Sequence, residues 1–193
     1  MTRAALVVWR HPRPNGASGL CLGARSDPGV DHRRAKRLAH RIRGAARREG
    51  AAREIAVSPL RRCREVGRWL RRFGFRCVVD ARLVELDFGE WDGRRWSDID
   101  PAAIGQWAAD LATQAPPGGE TVRQLLQRAA AVLAAPSARW MVAHGGFISA
   151  ASWLAARGEA APTAADWPRA PGHGVASLLG TATAEGAGVS RRG

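Results

Sequence analysis

Residues 4–14, AALVVWRHPRP, decide how the chain is read. Ala4 to Trp9 is an uninterrupted apolar run of strand length, consistent with a buried strand. It stops at Arg10-His11, and Pro12 and Pro14, which lack backbone donors, discourage its continuation in a central strand. A guanidinium and an imidazole therefore stand at the mouth of a buried strand. In an open α/β sheet the carboxyl ends of strands are where ligands sit. An isolated Arg-His pair more often marks only the point where a strand meets solvent, so its meaning depends on what the rest of the chain brings to the same edge.

Outward from this stretch, residues 15–30 form a Gly-bearing loop closed by Asp27-Pro28-Gly29, long enough to help line a site. Between Asp31 and Arg48, the residues Ala35, Leu38, Ala39, Ile42, Ala45 and Ala46 recur at helical spacing, with Asp31 as N-cap. Glu54 to Val57 reads as a short strand. Ser58-Pro59 then predicts an N-cap and a first helical residue, with Leu60, Cys63, Val66, Gly67 and Leu70 on the buried face. Arg61 and Arg62 fall in the first turn of that helix, directly after a strand. Gly74 ends it, and Arg76 to Leu83 reads as a further strand running into VELDFGEWDG at 84–93.

Trp91, Trp96, Trp107 and Pro101 mark short helices lying outside the main sheet, closed by Pro116-Pro117-Gly118-Gly119. Glu120 to Ala135 is an amphipathic helix, Arg139 to Ala143 a strand, and His144-Gly145-Gly146 opens a helix to about Ala156. Val175 to Leu179 is the last strand. Such alternation predicts an α/β chain with a largely parallel sheet. Residues 1–182 read as one domain with an insertion at about 88–118, and 183–193, with little to bury, as a flexible tail.

A length of 193 residues suits one core domain with an elaboration. No apolar run reaches membrane-spanning length, and the first is too short for a secretory signal, so the chain reads as cytoplasmic with no membrane partner. Cys21, Cys63 and Cys77 are odd in number and lack metal-ligand spacing, which predicts reduced thiols and no metal site. The 30 basic residues against 17 acidic leave a net charge of +13, attractive to phosphate esters and nucleic acid alike. The arginines recur among alanines, the pattern of solvated helix faces. A catalytically silent nucleic-acid-binding module is therefore kept only as the alternative from another class. Charge alone does not choose a function.

The choice comes from convergence. In a parallel sheet the ends carrying Arg10-His11, Arg62 and His144 face one edge, and Gly145-Gly146 frees the backbone beside His144. Together they describe a phosphate cradle, with arginine forks matching phosphate oxygens. Four ordered motifs, RHP at 10–12, SPLRRC at 58–63, VELDFGEWDG at 84–93 and AHGG at 143–146, resemble the signature of the histidine phosphatase superfamily. Within it, the RHPRP opening and GLCLGARSD at 19–27 are most similar to bacterial alpha-ribazole phosphatases of cobalamin assembly.

The resemblance implies a three-layer α/β/α sandwich with a small helical cap near 88–118. It implies that His11 attacks phosphorus to give a phosphohistidine, and that Arg10, Arg62 and His144 hold the nonbridging oxygens. Glu85 matches the proton donor, with Asp87, Glu90 and Asp92 as competing carboxylates that a Gly-rich turn would leave solvated. Attack needs a neutral imidazole, which cationic neighbours favour. Arg13 and Gly145 are added as substrate-binding residues, although Arg13 has equal claim to point outward. No cofactor and no metal are implied, and the partner is a small phosphorylated substrate: alpha-ribazole 5′-phosphate first, a broader range of sugar and nucleotide phosphates second. Pro12 replaces a common Gly, and Ala17 stands where mutase-like members carry Asn. His173, near the last strand, where related chains often carry an aromatic residue, is open to a substrate contact but reads first as structural.

Overall fold

The inner strands are apolar on both sides because the middle of the sheet is covered on both sides. In a computed structural model describing residues 5–180, the strands are β1 (Leu6–Arg10), β2 (Glu54–Val57), β3 (Arg76–Val79), β4 (Trp140–Ala143) and β5 (Ala176–Leu179). Alternate residues of β1, β2 and β4 divide between two cores. Val7, Trp9, Ile55, Val57, Trp140 and Val142 pack with Leu38 and Ile42 of α1 (His32–Arg48) and with Val66 and Leu70 of α2 (Arg61–Arg72). Leu6, Val8, Ala56, Met141 and Ala143 pack with Leu125 and Val132 of α4 (Val122–Ala134) and with Phe147 and Ile148 of α5 (Gly145–Arg157). The result is the three-layer α/β/α sandwich. Each fully buried aliphatic side chain in these layers contributes about 1.5–3 kcal/mol.

The sheet order is β3-β2-β4-β1-β5, parallel throughout except for β5, which runs antiparallel to β1 at the edge. Register aligns the business ends: Arg10 pairs with Ala143, and Val57 with Val142. His11, Ser58 and His144 therefore leave three adjacent strands at one level.

Local chemistry sets the boundaries. Asp31 caps α1 by accepting from the N–H groups of Arg33 and Arg34, and Thr121 and Gln124 form a reciprocal capping box on α4. Two expectations need correction. Ser58 is not the N-cap of α2: Leu60 holds that place without a side-chain cap, Pro59 precedes the helix, and the Ser58 hydroxyl accepts the Leu60 N–H at 3.3 Å while also pairing with His144 at 2.7 Å. The strand expected over 76–83 stops at Val79. Asp80 ends it by accepting from the backbone and guanidinium of Arg82 and from Ser137, which folds Ala81–Leu83 into one 3-10 turn.

Between this turn and α4 lie one-turn 3-10 segments at Gly89–Trp91 and Trp96–Asp98, then α3 (Pro101–Ala109). Cys21, Trp91 and Ile99 form a small separate core there with Phe88 and Trp107. Gly89 has φ +55, and a Cβ on it would collide with the Pro117 carbonyl, so glycine is required. No described helix is long and apolar enough to cross a membrane. The tail expected at 183–193 lies outside the described residues.

Candidate active site

His11 follows β1 and stays in its ladder, its N–H donating to the Ala143 carbonyl at 3.1 Å. The ring is 4 % exposed, and Nδ1 lies 2.7 Å from the Pro12 carbonyl oxygen. A carbonyl only accepts, so Nδ1 carries the proton and Nε2 the lone pair. Burial first, and then the Arg62 charge, hold the imidazole pKa well below its usual 6.5. His11 is thus a neutral base at neutral pH with its nucleophilic nitrogen defined.

Arg62, 1 % exposed, donates from Nε to His144 Nδ1 at 3.1 Å, from Nη1 to the Ser26 carbonyl and from Nη2 to the Gly23 carbonyl. It anchors the loop over the site while keeping one N–H on each terminal nitrogen for a ligand. Arg10 donates to the Pro171 carbonyl, and its Nε is buried with no hydrogen-bond acceptor, an arrangement that favours an anion beside it. Gly145 makes room for this guanidinium: a Cβ there would stand 3.1 Å from Arg10 Cζ. Gly145 is also the first residue of α5, where backbone N–H groups lack intrahelical partners and attract negative charge.

His144 differs from expectation. Its Nδ1 accepts from Arg62, so Nε2 bears the proton and donates to Ser58 Oγ at 2.7 Å. With both nitrogens engaged, His144 orients Arg62 instead of offering a free N–H of its own. Its ring centroid is 4.9 Å from that of His11.

Glu85 is 8 % exposed; one oxygen accepts the Leu86 N–H at 3.0 Å and the other the Gly146 N–H at 3.1 Å. It lines the same cleft of about 230 Å³ as Arg10, His11 and Arg62. The competing carboxylates do not. Asp87 pairs with Arg25 at 2.8 Å, Asp92 accepts the Gly23 and Arg25 N–H groups, and Glu90 is exposed. Arg13 is exposed and absent from the cleft wall, although its charge reaches His173 at the rim.

A model of the histidine phosphatase superfamily (branch 1) matches residues 6–173. The chain belongs to that superfamily. Among relatives of this superfamily member, the bifunctional protein Rv2228c of Mycobacterium tuberculosis is 30 % identical over 131 residues, 66 % of this chain and 35 % of the relative. A glucosyl-3-phosphoglycerate phosphatase of the same organism is 35 % identical over 141 residues, 64 % of this chain and 61 % of the relative. The chain thus spans about a third of the length of the first curated relatives it matches, at 35 %. The solved mycobacterial glucosyl-3-phosphoglycerate phosphatase Rv2419c superposes with a TM-score of 0.72 at 26 % identity, over 91 % of this chain and 89 % of that one. Its complex with inorganic phosphate superposes with a TM-score of 0.70 at 26 % identity, over 91 % and 89 %.

Sequence reading missed two supports of this histidine phosphatase superfamily site. Ser58, assigned to a helix cap, accepts the Nε2–H of the tautomer that Arg62 sets on His144. Arg128 of α4 donates to the Arg82 and Val84 carbonyls at 2.8 and 2.7 Å and pairs with Glu120 at 2.8 Å, bracing the segment that carries Glu85. An arginine on an amphipathic helix gives no sign of such a role until the fold places it. Among the described residues no three His, Cys, Asp or Glu side chains cluster as a cation's ligand set. Burial pushes the Cys63 thiol up, leaving it a poor nucleophile.

The buried imidazoles make stability depend on pH. His11 and His144 both have folded pKa values lowered below 6.5, with burial the largest cause. Above 6.5 neither the folded nor the unfolded chain protonates them. Below it the unfolded chain binds protons that the folded chain does not, so stability falls with falling pH until the folded pKa values are reached. Each ring contributes a slope of up to about 1.4 kcal/mol per pH unit. Urea unfolding at about pH 7.5 and about pH 5.5 will show a loss of about 2–3 kcal/mol in wild type and a smaller one in His144→Gln. Equal loss in both would remove His144 from the account.

Proposed function

We propose that the protein hydrolyses phosphate monoesters through a phosphohistidine on His11 Nε2, without a metal. One observation carries this reading: a neutral imidazole with a defined lone pair shares a small cleft with two arginines and a buried carboxyl. Nε2 attacks phosphorus and the ester P–O bond breaks. The protonated carboxyl of Glu85 gives its proton to the departing alkoxide. Glu85, now a carboxylate, takes a proton from water, whose oxygen attacks phosphorus as the N–P bond breaks and inorganic phosphate leaves. Arg10 and Arg62 hold the nonbridging oxygens through both steps, with His144 acting through Arg62 and the Gly145 N–H at the helix end adding a donor.

The family and the phosphatase names of two relatives support the reaction class. For the leaving group, relatives named for glucosyl-3-phosphoglycerate favour an organic phosphate bearing a sugar. Alpha-ribazole 5′-phosphate, the guess from the loop motifs, draws no support from a residue of the cleft. A panel of both esters with 4-nitrophenyl phosphate, assayed in excess chelator, tests the reading. Turnover of the aryl ester is expected, and its absence, or its dependence on an added metal ion, would overturn the proposal. A silent nucleic-acid binder would hydrolyse none of the three.

Gly146 offers a finer test. A Cβ at this position would overlap the Glu85 carboxylate, so Gly146→Ala displaces the proton donor while leaving the arginines in place. The expected result is a fall in kcat of about 10²-fold on alkyl phosphates with KM little changed. An unaltered kcat would mean that this contact does not position the acid.

A further inference from the structure

One imidazole of the cleft is left idle by this mechanism. His173 stands just before β5, in a segment laced to the strand end that carries the nucleophile: Gly174 N–H donates to the Arg10 carbonyl at 3.0 Å, and Arg10 N–H to the Val175 carbonyl at 2.9 Å. Its ring centroid is 5.2 Å from that of His11, and it lines the same cleft from an exposed rim. Nδ1 lies 3.2 Å from the His11 carbonyl oxygen. Since that oxygen only accepts, Nδ1 carries the proton, and Nε2 keeps a lone pair as the ring's remaining polar atom. Partial burial, and then the Arg10 charge, lower its proton affinity and keep the ring neutral.

A lone pair is the wrong partner for phosphate oxygens, which have only lone pairs to offer. It suits an O–H donor. The cleft wall also includes Trp96, an indole 36 % exposed and held edge-on by Phe88 at 5.6 Å and 88°. Its apolar face suits the C–H surface of a carbon skeleton. An alcohol offering both a C–H face and hydroxyl donors matches this wall better than a plain hydrocarbon. We infer that His173 and Trp96 form a leaving-group subsite for polyhydroxylated alcohols, in which His173 Nε2 accepts a hydrogen bond from a substrate hydroxyl. His173 is then a specificity residue, not a structural one. The inference rests on the phosphatase reading above.

The test compares three esters: glucose 6-phosphate, cyclohexylmethyl phosphate, which keeps the ring and the CH₂–O–P linkage but lacks the hydroxyls, and 4-nitrophenyl phosphate. Wild type is expected to favour the sugar ester over the cyclohexyl ester by about 10-fold in kcat/KM, the worth of one hydrogen bond at a partly exposed site. In His173→Phe, which keeps the ring bulk without an acceptor, that preference falls to about one while aryl phosphate turnover stays within about 3-fold. His173→Gln, which restores an acceptor, recovers part of it. An equal fall on all three esters in His173→Phe would show that the ring merely supports the His11 backbone. An unchanged preference, or none in wild type, would make it a bystander. If His11-dependent hydrolysis of the aryl ester survives either result, the phosphatase reading stands without the subsite; if no ester is hydrolysed, that reading falls first and takes the subsite with it.

Discussion

His11→Ala lowers kcat by about 10⁴-fold or more on every phosphate monoester while leaving the anion site in place. Nε2 of His11 carries the lone pair that faces the two arginines, because its Nδ1–H is donated to Pro12; both nitrogens of His144 are engaged, and the free nitrogen of His173 belongs to the cleft rim. Arg10 and Arg62 are held by other groups, Arg10 by the Pro171 carbonyl and Arg62 by His144, Ser26 and Gly23. Removing the imidazole therefore removes chemistry without dismantling the cradle, and inorganic phosphate should still inhibit other variants and bind this one to within about 3-fold, as read by calorimetry. Residual turnover within about 10-fold of wild type would mean that another group, or water directly, attacks phosphorus.

Glu85→Gln separates the two half-reactions. The amide oxygen still accepts the Gly146 N–H that Glu85 accepts at 3.1 Å, which holds the side chain in the cleft, while the amide nitrogen supplies neither the carboxyl proton nor an acceptor for the Leu86 N–H. An alkyl leaving group needs that proton, and its esters should lose about 10²–10⁴-fold in the first step. 4-Nitrophenolate departs without one. With the aryl ester the variant should form phosphoenzyme at close to the normal rate and then stall, because water is no longer activated. A stopped-flow trace should show a burst of one equivalent of 4-nitrophenolate followed by a slow steady state. Equal slowing of alkyl and aryl esters, with no burst, would assign Glu85 to binding or folding.

The division between what was legible in the sequence and what was not follows physical range. β1 was readable because a strand covered on both faces must be apolar at every position, and Arg10-His11 was readable as the point where that pattern ends. Arg62 was readable because one short turn links β2 to its helix, so chain geometry alone brings it to the edge where β1 and β4 end. Glu85 was placed by motif and not by pattern, since the chain from Asp80 to Gly89 has no regular element to fix a side chain's direction; what fixes it is Arg128, some 40 residues away, and the Gly146 N–H. Arg13 stays open in the sequence because a loop position two beyond the nucleophile is free to face either way, and the fold leaves it exposed outside the cleft wall. The place of His173 is hidden for the converse reason: a histidine before an edge strand has no periodicity to announce it, and its nearness to His11 arises only when β5 pairs antiparallel with β1. The strand misread over 76–83 was ended by Asp80 accepting from Arg82 and Ser137, local bonds that compete with the ladder and carry no hydrophobic signature.

The most direct measurement is to quench turnover of a good substrate into alkali and locate the phosphate by peptide mass spectrometry. Glu85→Gln is the protein of choice, since it should accumulate the intermediate. The account predicts phosphate on His11, lost on acid treatment and absent from His11→Ala. Phosphate on another residue, or a quenched enzyme free of covalent phosphate while a burst is under way, would contradict it.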